Sequence, residues 1–166
     1  MATASSLPLT ARRSLVRPIV LGGLIIGIVQ FVLQEWIVFS VLQQNPLMAV
    51  LQYITSGILG NAAFEGGIAT ALIGVLIHFF ISLVIAGVFI LSAERIQLLR
   101  RHAIAGALLY GIGVFIVMNM LVIPLSAAPV IPPPTLPWLI EIVVDHMLVV
   151  GLPLGILVRR NANSNK

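Results

Sequence analysis

Four long apolar runs restrict the fold of this chain more than any other feature. They span about residues 18–42, 66–91, 102–124 and 138–158. Each is roughly 20 to 26 residues long, enough for an α-helix rising ~1.5 Å per residue to cross a ~30 Å hydrocarbon core. Alternating segments of ~10 residues, typical of a transmembrane β-barrel, do not occur. The sequence therefore predicts an all-α membrane protein, a four-transmembrane-helix bundle.

The nine basic residues all lie where they can face one side of a membrane. Three precede the first run, three lie between the second and third runs, and three follow the fourth: Arg12, Arg13, Arg17, Arg95, Arg100, Arg101, Arg159, Arg160 and Lys166. Loops rich in Lys and Arg stay in the cytoplasm, so we expect both termini to be cytoplasmic. The organisation predicted is a tail (1–17), one transmembrane domain (18–158) and a second tail (159–166).

Composition excludes several classes of protein. Of the 166 residues, 60% are hydrophobic and only 8% are charged, which excludes a soluble domain with a solvated surface. The basic residues flank apolar runs instead of forming a patch, which argues against a nucleic-acid partner. The absence of cysteine excludes disulfides and thiolate chemistry. Residues 1–17 resemble the front of a signal or transit peptide, but no small-residue cleavage site closely follows, so an uncleaved tail is predicted.

Two connections between the runs have a distinctive composition. Asn45-Pro46 ends the first run, and the apolar stretch from Met48 to Leu59 is too brief to span. It predicts a short interfacial helix between helices one and two, lying in the outer interface or folded back onto the bundle. Residues 129–137 contain five prolines and predict an extended loop that leads to Trp138, an interfacial anchor.

Small residues at four-residue spacing predict close helix contacts, because they let backbones approach in lipid. Such spacings occur in every run, and Pro153 predicts a kink in the fourth. The main series are Gly23 and Gly27; Ala63, Gly67 and Ala71; Ala103, Ala107 and Gly111; and Gly151 and Gly155.

Polar side chains within the apolar runs are the candidate functional residues. An ionisable side chain at the bilayer centre costs about 2.5–3.5 kcal/mol on insertion scales, so its presence suggests a function. Given the predicted topology, nearly all of them fall in the outer half, which predicts a polar pocket open to the extracytoplasmic side. The candidates are Gln30, Gln34, Glu35, His78, Asn119, Glu141, Asp145 and His146.

The fourth run favours a proton or ion site. Glu141 and Asp145 are four residues apart and share a helix face, and they would repel one another when ionised. With Glu35 and His146 they would hold a proton or a cation. The alternative is structural: Glu141 is interfacial, and Asp145 hydrogen-bonds His146 or a neighbouring helix.

Haem, another porphyrin or a pigment is a further alternative, because His78 and His146 lie on two helices that run in the same direction. Their predicted depths differ by roughly 6 Å, which does not favour bis-histidine ligation. The spacing from Glu141 to His146 does not fit a di-metal carboxylate site, and no metal site is predicted. Phosphate loops, nucleophile elbows and zinc-protease motifs are absent, so no enzymatic activity is indicated.

The second half of the chain contains a characteristic series of short motifs, over roughly residues 77–160. In chain order they are His78, Ala93-Glu94, Gly106-Ala107-Leu108, Pro124-Leu125, the proline-rich loop, Leu136-Pro137-Trp138, Glu141, His146 and Arg159-Arg160. Together they resemble the YagU-like inner-membrane proteins, a bacterial family without an assigned biochemical activity. The resemblance implies a bacterial plasma-membrane location, but no substrate.

Two functions follow as expectations. The first is a small membrane protein that handles protons or a small solute at an outward-facing polar pocket, as a homodimer because four helices rarely enclose a full conduction path. The second is a non-catalytic accessory subunit of a larger membrane complex, binding its partner, haem or a pigment through these polar residues.

Overall fold

The computed structural model describes residues 15–130 and 135–163, and within these ranges the chain forms helices and no strand. The all-α prediction is therefore confirmed for the described residues. Six helices follow one another: α1 (Val16–Leu42), α2 (Leu47–Phe64), α3 (Gly67–Arg95), α4 (Gln97–Arg101), α5 (Ala103–Leu125) and α6, which starts at Leu136 and ends at Asn163. Arg12, Arg13, Lys166 and the predicted extended stretch over 131–134 lie outside the described residues.

Five of these helices are long and apolar enough to cross a membrane, where the sequence predicted four. The additional one is α2, which was expected to be a short interfacial helix. Its α-helical part, Leu47–Leu59, continues into a 3₁₀ turn, Gly60–Phe64, so that the whole segment reaches 18 residues. Gly60 permits this continuation, because its φ of 58° and ψ of −145° lie in a region that glycine adopts far more readily than other residues.

Helices α1 and α3 pack antiparallel through small residues. A Cβ atom on Gly23 would lie 2.8 Å from the Cα of Leu83, and one on Gly27 would lie 2.8 Å from the Phe79 ring. Residues later in α1 therefore contact residues earlier in α3. The start of α1 and the end of α3 consequently lie at one end of the bundle, which we call the basic end.

Helices α5 and α6 pack antiparallel still more closely. A Cβ on Gly111 would meet the His146 carbonyl oxygen, one on Gly151 would meet that of Ala107, and one on Gly155 would lie 2.9 Å from the Cα of Ile104. Only glycine permits this backbone-to-backbone contact, as the small-residue spacing predicted.

Helix α2 lies beside the half of α3 that is farther from the basic end. The Leu51 carbonyl oxygen occupies the place where a Cβ on Gly74 would be. The Thr55 hydroxyl donates to the Thr70 carbonyl at 2.6 Å. Because the later residue of α2 contacts the earlier residue of α3, the two helices are antiparallel. Helix α2 thus runs along α3 from about its middle to its start.

The apolar core lies between α1, α3, α5 and α6, towards the basic end. Tyr110 of α5 stacks against Phe89 at a ring-centroid distance of 5.1 Å and donates its hydroxyl proton to the Ile85 carbonyl at 2.8 Å. The most buried members of this core are Ile26, Ala86, Phe89, Ile90, Ala93, Ala107, Val150 and Leu154.

Candidate polar site between α1, α3 and α6

Three of the long helices contain π-helical segments, and each segment carries polar residues that the sequence singled out. In α1 the segment is Phe31–Leu42, in α5 it is Met118–Val122, and in α6 it is His146–Gly151. They carry Gln34 and Glu35, Asn119, and His146, respectively. The π-helix is rare in proteins and occurs often at functional sites. Its coincidence with polar residues in three helices marks this part of the bundle as the candidate site.

The π-helical segment of α6 has a local cause in the sequence. Pro153 has no amide hydrogen to donate to Val149, and its ring crowds that carbonyl group. The backbone widens into a π-helix immediately before Leu152 and then resumes as an α-helix over Leu152–Asn163. The kink predicted at Pro153 stays a prediction; the structure shows a π-helical segment that ends two residues before this proline.

Glu35 and His78 form a buried pair between α1 and α3. His78 Nδ1 lies 3.2 Å from Glu35 Oε1, and its Nε2 lies 2.9 Å from the Gly27 carbonyl oxygen. Both residues are buried, with exposed fractions of 7%. The sequence grouped Glu35 with α6 and treated His78 separately, whereas the structure joins Glu35 directly to His78.

The hydrogen bonds of His78 fix the proton count of this pair. A carbonyl oxygen only accepts, so His78 Nε2 must carry a hydrogen. A second hydrogen then lies between His78 Nδ1 and Glu35 Oε1, since two facing acceptors would repel. Whether that proton resides on the imidazole or on the carboxyl group, the pair is electrically neutral overall. It is therefore a proton-sharing pair that can remain buried at low cost.

The carboxylates of α6 face the same region of α1. Gln34 makes a side-chain hydrogen bond to Glu141, and the Asp145 carboxylate lies within electrostatic range of both Glu141 and Glu35. The Gln34 amide of α1 thus contacts Glu141 of α6, and the carboxylates of Glu35, Glu141 and Asp145, which the sequence grouped in one site, interact electrostatically between the two helices.

His146 lies at the edge of this group. Its Nδ1 is 2.9 Å from the Ile142 carbonyl and 3.8 Å from Asp145 Oδ2, so the main hydrogen bond is to its own helix. Its ring packs edge-on against Phe115, with a centroid distance of 5.7 Å. His146 therefore borders the carboxylates without making a close ion pair.

Several buried polar atoms in this region have no hydrogen-bond partner. They include one oxygen from each member of the cluster: Gln34 Oε1, Glu35 Oε2, Glu141 Oε2 and Asp145 Oδ2. A buried polar atom without a partner costs about 1–3 kcal/mol. We therefore name these four residues the acceptor cluster, and their oxygens call for protons or for a ligand that donates hydrogen bonds.

Two residues that the sequence assigned to the polar pocket, Asn119 and Gln30, are not members of the acceptor cluster. Asn119 donates its amide proton to the Phe115 carbonyl of its own helix at 3.0 Å. Gln30 is half-buried and is the last residue before the π-helical segment of α1.

Sequence reasoning missed a second buried polar group, on α2. Gln52, Thr55 and Ser56 are at most 3% exposed. Gln52 donates to the Gly67 carbonyl at 3.0 Å, and Ser56 donates to the Tyr53 carbonyl at 2.6 Å. Their spacing along a short amphipathic helix was the available signal. Gln52 and Thr55 donate to carbonyl groups of α3 and so hold α2 to it, whereas the Ser56 bond lies within α2. Because these groups are hydrogen-bonded, they are not candidate ligand-binding groups.

The haem alternative is not favoured by the geometry. Both ring nitrogens of His78 already contact Glu35 and Gly27, so ligation of iron would break a buried hydrogen bond. Over residues 15–130 and 135–163, three or more His, Asp or Glu side chains are nowhere grouped closely enough to hold a metal ion.

The chain has no significant match to a protein-family profile, a curated protein or a solved structure. The resemblance to the YagU-like proteins therefore stays a prediction. The function is argued below from the geometry of the site.

Proposed function

We propose that this is a small integral membrane protein that handles protons or a small solute at the acceptor cluster. The observation that carries this proposal is that Glu35 on α1 and Glu141 and Asp145 on α6 each keep one buried oxygen without a hydrogen-bond partner, while Gln34 of α1 is hydrogen-bonded to Glu141. Carboxyl groups are costly inside a membrane, and a purely structural role would leave them fully hydrogen-bonded.

Proton exchange follows from the charges of the cluster. Neighbouring carboxylates in a medium of low dielectric constant cannot all ionise, so they share protons. The Glu35–His78 pair holds one proton between its two side chains, and a further proton on Asp145 or Glu141 would lie beside it. A proton entering at Glu141, near the start of α6, would pass to Asp145 and then to the free Oε2 of Glu35, leaving the Glu35–His78 pair with one extra proton and a single positive charge until that proton is released.

The proposed topology has four crossings, with α2 entering only the outer half of the bilayer. Antiparallel packing of α1 and α3 brings Arg17 and Arg95 to the same end, so the connection between these helices must begin and end on the other side. Helix α2 accordingly lies beside only part of α3. The basic end and both termini would be cytoplasmic, in a bacterial plasma membrane, and the pocket would open outward.

The topology can be tested by single cysteines, because the chain has none of its own. In the proposal, cysteines at Gln44 and Glu65, which flank α2 and are exposed, react with a membrane-impermeant thiol reagent from the same side. A cysteine at Arg100 should react only from the opposite side. Labelling of Gln44 and Glu65 from opposite sides would show that α2 crosses completely.

The activity can be tested in liposomes containing a pH-sensitive dye. Asp145→Asn and Glu35→Gln should each lower the proton flux by roughly tenfold or more, because each removes a proton-carrying group. Glu65→Gln is the matched control, since Glu65 is an exposed carboxylate outside the cluster. Unchanged flux in both cluster variants would contradict the proposal.

The competing proposal, a non-catalytic accessory subunit, predicts a different result. Gentle purification from the native membrane would then yield a partner at fixed stoichiometry, and the reconstituted chain alone would show no flux. A homodimer with flux would favour the proton-handling role instead.

A further inference from the structure

We propose that the acceptor cluster binds an organic ammonium ion that carries N–H groups, such as a primary amine in its protonated form. This inference rests on the proposed function and names the chemical class of the solute. It depends on three features of the cluster: the hydrogen-bonding character of its atoms, its net charge and the aromatic residue beside it.

The unpartnered atoms of the cluster are acceptors. Gln34 is the clearest case, because only 3% of it is exposed and its side chain already contacts Glu141, yet its carbonyl oxygen has no donor. An amide oxygen accepts at every pH, so it needs a donor, either the O–H of a protonated neighbouring carboxyl group or an N–H of a ligand. A ligand with several N–H groups would donate to Gln34 and to the carboxylate oxygens together.

The charge of the site also favours a cation. Glu35 is neutralised by the proton that it shares with His78. Glu141 and Asp145 remain, and the ring of His146, the nearest basic side chain, gives its Nδ1 hydrogen to the Ile142 carbonyl. A single positive charge between these two carboxylates would remove most of their repulsion.

The third feature is the face of α6 that carries the carboxylates. Trp138, Glu141 and Asp145 are separated by three and four residues, so they lie along one side of the helix. The indole N–H of Trp138 is also buried without a partner; it is a donor, so it would pair with a carboxylate oxygen and not with the cation. An aromatic ring beside two carboxylates is suited to an ammonium group with an attached alkyl chain, since the ring attracts the cation and contacts the chain.

A bare metal ion fits this arrangement less well. The carboxylates and histidines of the described ranges are not close enough together for common coordination of a metal ion. An alkylammonium ion is larger and bridges more widely separated acceptors. A quaternary ammonium ion has the charge but no N–H group, so it provides the decisive comparison.

The experiment is titration calorimetry on the full chain in lipid nanodiscs, with n-butylammonium, tetramethylammonium, sodium and calcium chlorides as probes. We expect n-butylammonium to bind at least about tenfold more tightly than tetramethylammonium, because each lost hydrogen bond to a charged group is costly. Glu141→Gln and Asp145→Asn should each weaken binding by about 30-fold or more. Glu65→Gln should leave it unchanged.

Gln34→Met tests the acceptor argument without changing the charge. It keeps the length of the side chain and should weaken butylammonium binding while leaving that of tetramethylammonium unaltered. Trp138→Leu should weaken binding of butylammonium by about threefold, and Trp138→Phe by less. Thermal unfolding of each variant separates loss of the site from loss of the fold.

The outcomes distinguish this inference from the proposed function. Equal binding of all monovalent cations, or unchanged binding in both Glu141→Gln and Asp145→Asn, would overturn the ammonium site. If butylammonium does not bind while proton flux still depends on Asp145, the ammonium inference is wrong and proton handling stands. If flux is unchanged in both Asp145→Asn and Glu35→Gln but butylammonium binds at Asp145, proton handling is wrong and the protein is an ammonium-binding protein.

Discussion

The two halves of the bundle are built in opposite ways. Towards the basic end, helices meet through glycine and alanine with almost no polar side chains between them, as at Gly151 and Ala107. In the other half the helices meet through polar side chains, among them Glu35 and His78. The π-helical segments of α1 and α5 lie in this half, and that of α6 begins here at His146 and continues to Gly151.

This difference shows how stability and function are divided. In lipid, close backbone packing is a main source of helix association, and the helices of the basic half pack in this way. The polar half instead keeps buried acceptors without partners, which destabilises the folded state. Substitutions should therefore differ in effect between the two halves. Added side chains in the basic half destabilise, whereas in the polar half the loss of one member of the Glu35–His78 pair destabilises and the loss of a charge without a partner stabilises while it abolishes activity.

The largest effect on stability is expected for substitutions in the Glu35–His78 pair of the polar half. His78→Leu leaves Glu35 buried without the proton that it shares, which should destabilise the protein by about 3–5 kcal/mol. Unfolding in detergent mixtures would measure this change in the free energy of unfolding. The double variant Glu35→Gln, His78→Leu should recover part of this loss, and His102→Leu, at an exposed position, is the control. A loss below about 1 kcal/mol would contradict the proton-sharing pair.

The next effect belongs to the basic half. Gly151→Ala places a methyl group against the Ala107 carbonyl and 3.1 Å from the Cα of Leu108, backbone atoms that cannot move aside. We expect a loss of about 1–3 kcal/mol, as for other overpacked cores. Gly113→Ala is the matched control on α5, because a Cβ there meets no atom within 4 Å. Equal free energies of unfolding for Gly151→Ala and Gly113→Ala would show that close packing at Gly151 is not essential.

A stabilising substitution would sharpen the comparison. Asp145→Asn removes a charge that Glu141 repels, so we expect a gain of about 1 kcal/mol together with loss of proton flux. Thermal unfolding and liposome flux would be measured on the same preparation. A variant that is both less stable and inactive would place Asp145 among the structural residues.

Sequence reasoning predicted the basic half well, because its determinants are periodic. Glycines at positions such as 151 and 155 share one helix face, and the spacing alone indicates which face packs. It also grouped Glu35, Glu141 and Asp145, because similar depth in four antiparallel helices limits where polar residues can meet.

Other features could not be predicted from the sequence. The pairing of Glu35 with His78 depends on the rotation of α1 relative to α3, which side-chain packing determines and no periodicity encodes. The length of α2 depends on the backbone conformation of Gly60, which lets an otherwise short α-helix continue into the 3₁₀ turn Gly60–Phe64. The π-helical segments likewise arise from tertiary packing, and only Pro153 gave a local signal.

The smallest effect concerns a hydrogen bond within the apolar half. Tyr110 donates to the Ile85 carbonyl at 2.8 Å, between α5 and α3. Tyr110→Phe keeps the ring stacked on Phe89 and should cost only about 0.6 kcal/mol, the average for hydrogen bonds between helices in membranes. Proton flux should not change. A loss of several kcal/mol would show that the basic half also depends on polar contacts, and the contrast between the two halves would then fail.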